Sequence, residues 1–219
     1  MSIFINELEV AFHLLQNAEN ADWMTKYMRN QFPYLGIKKP ERHAVFVDLY
    51  KKHGSKEDWW TVCNVLFAKK EREYQYVAMD FLQKKSKEWD ERIPSLVESW
   101  ILAQPWWDVV DVLSPKVLGP YFLRFPEQQT YWLTRWMESN NFWLQRACIL
   151  FQLMYKSKTD RGLLSKIILE LSSSKEFFIQ KAIGWSLRQY ARTDAPWVID
   201  FVENHALAAL SKREALLRV

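Results

Sequence analysis

The stretch NNFWLQRACIL, residues 140–150, decides how the whole chain is read, because KEFFIQKAIGW, residues 175–185, repeats it. In both, an aromatic pair leads into a glutamine, a cation and an alanine. Gln145-Arg146-Ala147-Cys148-Ile149 aligns with Gln180-Lys181-Ala182-Ile183-Gly184, 35 residues later. At 70 residues before Gln145 lies Gln75-Tyr76-Val77-Ala78-Met79, again behind an aromatic segment, EREY, and the slot between falls on Val110-Asp111. One helix pair cannot bury its own apolar face, so recurrence at such a period means that stacked neighbours bury it for one another. The expected fold is all-α, a solenoid of helix pairs.

The rest of the chain fits a stack of the HEAT-like or TPR-like kind, an α-α superhelix with a concave face. Only 5 glycines interrupt 219 residues, and apolar side chains recur at helical rather than alternating spacing. Helix starts are expected at Pro40 in PERHAVFVDLYKKH, at Pro94 in IPSLVESWILA, and at Ser174 as N-cap of KEFFIQKAIGWSLRQYA. Breaks are expected near Gly36, Gly54, Pro105, Gly119 and Pro126, and before Pro196. None is long enough for a linker, so residues 1–219 read as one domain, with amino-terminal helices over 1–53 and stacked pairs over 56–219.

Composition removes several function classes. No run of ~18 apolar residues appears, and MSIFINELEVAFHLL carries acids where a secretory signal carries bases, so a soluble cytoplasmic protein with no membrane partner is expected. Cys63 and Cys148 sit in apolar surroundings and read as small buried residues rather than a disulfide. His13, His43, His53 and His205 lack ligand spacing, and no glycine-rich phosphate loop or nucleophile elbow is present. No metal and no cofactor are expected, which leaves a carboxylate, cations and aromatic rings to carry any chemistry.

Those groups converge in the repeat register. Positions 76, 111, 146 and 181 are equivalent and read Tyr76, Asp111, Arg146, Lys181. Trp107 lies four residues before Asp111 and Trp185 four after Lys181, on the same helix faces. Two explanations stand: an Asp111–Arg146 ion pair that holds two repeats in register, or a polar face that meets a ligand. Net charge is +4, and Lys156, Lys158, Lys175, Lys181, Arg188 and Arg192 concentrate base in the last repeats, as a phosphate-binding surface requires. Near the amino terminus, Trp23, Tyr27, Phe32 and Tyr34 interleave with Lys26, Arg29, Lys38, Lys39, Arg42 and His43. That pattern suits a nucleic-acid reader or an amphipathic helix packed inward, and both hold with Trp23 inward and Tyr27 outward.

WWDVVD at 106–111, NFWLQRACILFQLMYK at 141–156, SSKEFFIQKAIGWSLRQYAR at 173–192, ALSKREAL at 209–216 and KYMRNQFPYLGIKKPER at 26–42 resemble the bacterial AlkD family of DNA alkylation repair proteins. The resemblance covers essentially the whole chain. It implies a HEAT-like stack and a monofunctional, monomeric DNA glycosylase. Such an enzyme hydrolyses the N-glycosidic bond of N3- or N7-alkylated purines, such as 3-methyladenine and 7-methylguanine, in double-stranded DNA without turning the base into a pocket. It also implies roles. Asp111 is the catalytic carboxylate, Trp107 and Trp185 cradle the lesion nucleotide, and Arg146 binds a phosphate and positions. Tyr27, Lys38 and Lys39 touch the duplex; separately, on charge alone, Lys181 and Arg188 of the basic surplus are expected to bind DNA. Lys38 stands where the family pattern has glutamine, and Met154 where it has lysine. The other reading is a non-catalytic HEAT-repeat DNA-binding or scaffold protein, since a shared fold does not fix activity.

The implied chemistry suits these residues. A purine alkylated at N3 or N7 is already cationic, so its departure needs no general acid. What remains is to stabilise positive charge growing on the deoxyribose, which a fixed carboxylate and the negative faces of indoles do.

Overall fold

The structure, a computed structural model, describes residues 2–217, and all regular secondary structure among them is helical. By internal contacts the chain divides into two compact units, Met1–Glu88 and Trp89–Val219. Side-chain oxygens of Ser2, Asn17, Asp58, Asn141, Asp160 and Asp194 accept first-turn amide hydrogens and so fix where their helices begin.

The first unit contains α1 (Ile3–Leu15), α2 (Ala18–Tyr27), α3 (Lys39–His53), α4 (Trp59–Phe67) and α5 (Arg72–Lys84). Phe4, Leu8 and Phe12 of α1 share a core with Phe46 of α3 and Phe81 of α5, and the Phe4 ring meets Phe81 edge-on at 5.1 Å. Each such ring contributes roughly 1.5–3 kcal/mol by leaving water. In contrast, α2 buries no residue.

The loop after α2 is held from α5. Glu73, fully buried, accepts amide hydrogens from Leu35 at 3.0 Å, Gly36 at 2.9 Å and Ile37 at 3.1 Å. Gly36 has φ +84°, and a Cβ there would lie 2.0 Å from the Asn17 carbonyl oxygen, so glycine alone lets the loop close against the start of α2. Replacing Glu73 by alanine strands three amide donors at roughly 1–3 kcal/mol apiece. Thermal denaturation is expected to show the midpoint falling by on the order of 10 °C, with a smaller loss for Glu73→Gln, which keeps one acceptor.

The second unit contains α6 (Ile93–Ala103), α7 (Trp107–Leu113), α8 (Gly119–Arg124), α9 (Pro126–Glu138), α10 (Phe142–Leu150), α11 (Arg161–Leu171), α12 (Phe177–Ala191), α13 (Ala195–Asn204) and α14 (Ala209–Ala215). Helices α7, α10, α12 and α14 touch in succession, while α6, α9, α11 and α13 pair with members of that row. This is the repeat-like stacking of a helical solenoid, as the 35-residue register implies. The aromatic pairs that open the repeated stretch explain its recurrence. Phe142 and Trp143 of α10 pack on Phe178 of α12, with Trp143 and Phe178 centroids 4.7 Å apart.

Two sequence expectations are corrected here. Gly119 does not break the chain: a π turn over Ser114–Leu118 runs straight into α8, absorbing Pro115, which has no amide hydrogen to give an α-helical bond. Ser174 is not the N-cap of α12, which begins at Phe177 behind Glu176; its hydroxyl instead accepts the Glu176 amide at 3.3 Å. Cys63 and Cys148 are free and buried, and burial pushes both thiols far above their ordinary range. Among the described residues no helix is long and apolar enough to cross a membrane.

Candidate functional site

Asp111 lies on α7 one turn before the π segment, and Arg146 on α10 is placed against it by the 35-residue register. The pair is bidentate: Arg146 Nε donates to Asp111 Oδ1 at 2.8 Å and Nη2 to Oδ2 at 2.9 Å. Arg146 Nη1 donates to the Phe178 carbonyl in the first turn of α12. One guanidinium therefore ties α7, α10 and α12 together. Arg146 is only 4% exposed, so its geometry is that of a group which orients Asp111 rather than one open to a phosphate. The Asp111 side chain keeps a small solvent-facing part.

Burial pushes the Asp111 carboxyl above its ordinary range. The hydrogen bonds and charge of Arg146 pull the other way, and Asp108 adds a smaller upward push. Behind the pair, Trp106 packs on Trp143 and Phe178 at 5.8 and 5.7 Å, and Asp108 is buried. Trp107 and Trp185 are both partly exposed, each one turn from the polar residue it was paired with in sequence.

The remaining members of the row part company. Lys181 turns to α14, where its Nζ lies 3.1 Å from Glu214 Oε1, and Arg188 Nη1 meets Glu214 Oε2 at 3.0 Å. Tyr76, in the first unit, shares a hydroxyl hydrogen bond of 3.1 Å with Tyr34 and lies beneath the Arg42 guanidinium. Asp111 and Arg146 are thus brought together by the register, whereas Lys181 and Tyr76 find partners the register does not give.

The amino-terminal candidates belong to the first unit. Trp23 and Tyr27 stack at 5.4 Å with an interplanar angle of 15°, and they are 64% and 61% exposed. The expectation that Trp23 faces inward is therefore corrected: α2 turns both rings to solvent. Phe32 is buried beneath Arg72, and Arg42 is buried too. Lys38 and Lys39 are exposed where α3 starts, with the Lys38 amide capped by Glu41 at 3.1 Å. Cations beside a helix N-terminus make a locally positive spot suited to phosphate.

Sequence reasoning missed Glu73, the Phe178 carbonyl and Glu214. Glu214 lies within ALSKREAL, a segment whose resemblance to the family was visible, but no periodicity ties it to α12. Among the described residues no group of three His, Cys, Asp or Glu side chains could hold a metal ion.

The sequence model of a family described as DNA alkylation repair enzyme matches residues 8–219. The chain belongs to that family. It is also similar to a solved structure, a predicted DNA alkylation repair enzyme from Enterococcus faecalis, at 35% identity with a TM-score of 0.84. That similarity covers 91% of this chain and 94% of the other. No curated protein matches significantly. As a member of the DNA alkylation repair enzyme family, the chain has a role in repairing alkylated DNA, with DNA as the partner its family supports. The exposed aromatics and cations above are suited to that partner, since rings stack on bases and cations hold phosphates.

Proposed function

We propose that the protein is a monofunctional glycosylase that excises cationic N3- or N7-alkylated purines from double-stranded DNA. The observation that carries this reading is the Asp111 carboxylate, held bidentately by Arg146 yet still touching solvent one turn from the partly exposed Trp107. A carboxylate fixed in that way needs no reorganisation when positive charge develops on a deoxyribose beside it, and it can orient the attacking water. The base leaves as a neutral purine once the bond breaks, so no acid is required at its ring. Excision then needs the sugar to be reached, not the base to be enclosed. Trp107 and Trp185 offer indole faces to the sugar and backbone.

Incubating the protein with methylated duplex DNA and separating the small products by chromatography tests this directly. Free 7-methylguanine and alkali-labile abasic sites are expected. If intact methylated DNA is bound and no base is released, the Asp111–Arg146 pair is a staple between repeats and the protein a non-catalytic binder, a role for which its burial also suits it.

Lys38, Lys39 and Tyr27 are proposed as duplex contacts of the first unit. Each lysine that neutralises a phosphate adds ~0.9 to the slope of log affinity against log salt. The double substitution Lys38→Ala, Lys39→Ala is therefore expected to flatten that slope by about 1.8 in anisotropy titrations. An unchanged slope removes both residues from the interface.

A further inference from the structure

Glu214 is an acid set among the cations of the helix that carries Trp185. Lys181, Trp185 and Arg188 follow one another along a single face of α12. Helix α14 lies against that helix at Gly184, where a Cβ would come within 2.3 Å of the Glu214 Cβ and 2.9 Å of the Ser211 carbonyl oxygen. Ser211, fully buried, donates its hydroxyl to the Gln180 carbonyl at 3.0 Å. The close approach therefore fixes α14, and with it the Glu214 side chain, over the Lys181–Arg188 pair.

One carboxylate serves both cations. Lys181 Nζ reaches Oε1 at 3.1 Å and Arg188 Nη1 reaches Oε2 at 3.0 Å, with a further bond from the same Nη1 to the Glu214 carbonyl at 3.0 Å. Together they hold the Glu214 carboxyl below its ordinary range. Two cations converging on two oxygens of one anion is also how a phosphodiester is gripped. The side chains of Lys181 and Arg188 remain 38% and 28% exposed, so an incoming anion can reach them.

We propose that Glu214 is a resident competitor for a DNA phosphate. It occupies the place between Lys181 and Arg188 that a backbone phosphate takes, so that α12 engages the duplex by exchanging one anion for another. This rests on the reading that α12 faces DNA. The exchange has two consequences. Cations already neutralised by an internal acid displace fewer of the counterions condensed on the DNA, which weakens binding to any phosphate and flattens its salt dependence. The penalty applies to every site on a duplex, damaged or not, and so favours departure from undamaged DNA.

The test is the affinity of the full chain for an undamaged duplex, measured by anisotropy between 50 and 200 mM salt, for wild type and Glu214→Gln. The isosteric amide is expected to bind on the order of 10-fold more tightly at the low-salt end, with a slope steeper by ~0.9 to ~1.8. Glu214→Asp, which withdraws the charge by one methylene, should fall between. Adding Lys181→Ala and Arg188→Ala to Glu214→Gln should abolish the gain. Weaker binding or an unchanged slope in Glu214→Gln, with its helical circular dichroism intact, overturns the proposal. So does a gain that survives loss of both cations. Should Glu214→Gln fail to fold, Glu214→Asp decides alone: tighter binding supports the exchange and equal or weaker binding refutes it. Because excision is not read, absence of base release and failure of this exchange are distinguishable.

Discussion

Asp111→Asn is expected to slow release of 7-methylguanine from duplex DNA by two to three orders of magnitude while leaving duplex affinity unchanged or higher. The size follows from electrostatics. A carboxylate about 4 Å from a unit positive charge, in surroundings of effective dielectric ~20, stabilises it by ~4 kcal/mol, and ~1.4 kcal/mol is one factor of ten in rate. The asparagine keeps the shape and one acceptor oxygen for Arg146 but supplies no net charge to an oxocarbenium-like sugar. Binding should not suffer, because the side chain removed is an anion near a polyanion. Single-turnover excision and anisotropy on the same duplex separate the two quantities. Equal losses in both would mean that Asp111 shapes the surface and does no chemistry.

Arg146→Met also carries a large expected loss of stability. The substitution strands the mostly buried Asp111 carboxylate and the Phe178 carbonyl that Arg146 now satisfies. Breaking a buried pair from one side costs about 3–5 kcal/mol, which for a chain of this length corresponds to a melting point lower by on the order of 10 °C. The sign of the pH dependence can be worked out. Burial raises the folded carboxyl of Asp111 above its unfolded value, so the folded state binds the extra proton between the two. The contribution of this group to stability is fullest below the unfolded value and declines as pH rises through the folded one. Arg146 opposes the upward push, and removing it moves the folded value higher still. Two outcomes are expected for Arg146→Met: its melting deficit shrinks on acidification through that window, and the acid limb of the excision profile moves to higher pH. An acid limb that stays in place would detach the limb from Asp111.

The repeated stretch made much of this legible. The recurrence of 145–149 at 180–184 carried helical class, stacking order and the meeting of Asp111 with Arg146, because a solenoid turns a sequence period directly into spatial adjacency. What the period could not carry is what lies off it. Glu214 meets α12 through a close approach at Gly184, and Glu73 clamps a loop through backbone amides, neither of which leaves a spacing to read. Arg146 illustrates a different limit. Charge and register mark it as a cation on a polar face, but only packing reveals that its donors face two neighbours inside the stack. Trp23 failed for the opposite reason: α2 buries nothing, so amphipathic logic had no buried side to assign it to.

The role given to Asp111 is stabilisation of a cationic sugar, and a binding measurement addresses it without waiting for chemistry. Two duplexes are compared, one bearing a cationic pyrrolidine in place of the lesion's deoxyribose and the other a neutral tetrahydrofuran at the same position. Wild type is expected to prefer the cationic duplex by at least tenfold, as a transition-state mimic requires, and Asp111→Asn is expected to lose that preference. Equal affinity of wild type for the two duplexes, or a preference that persists in Asp111→Asn, would contradict it.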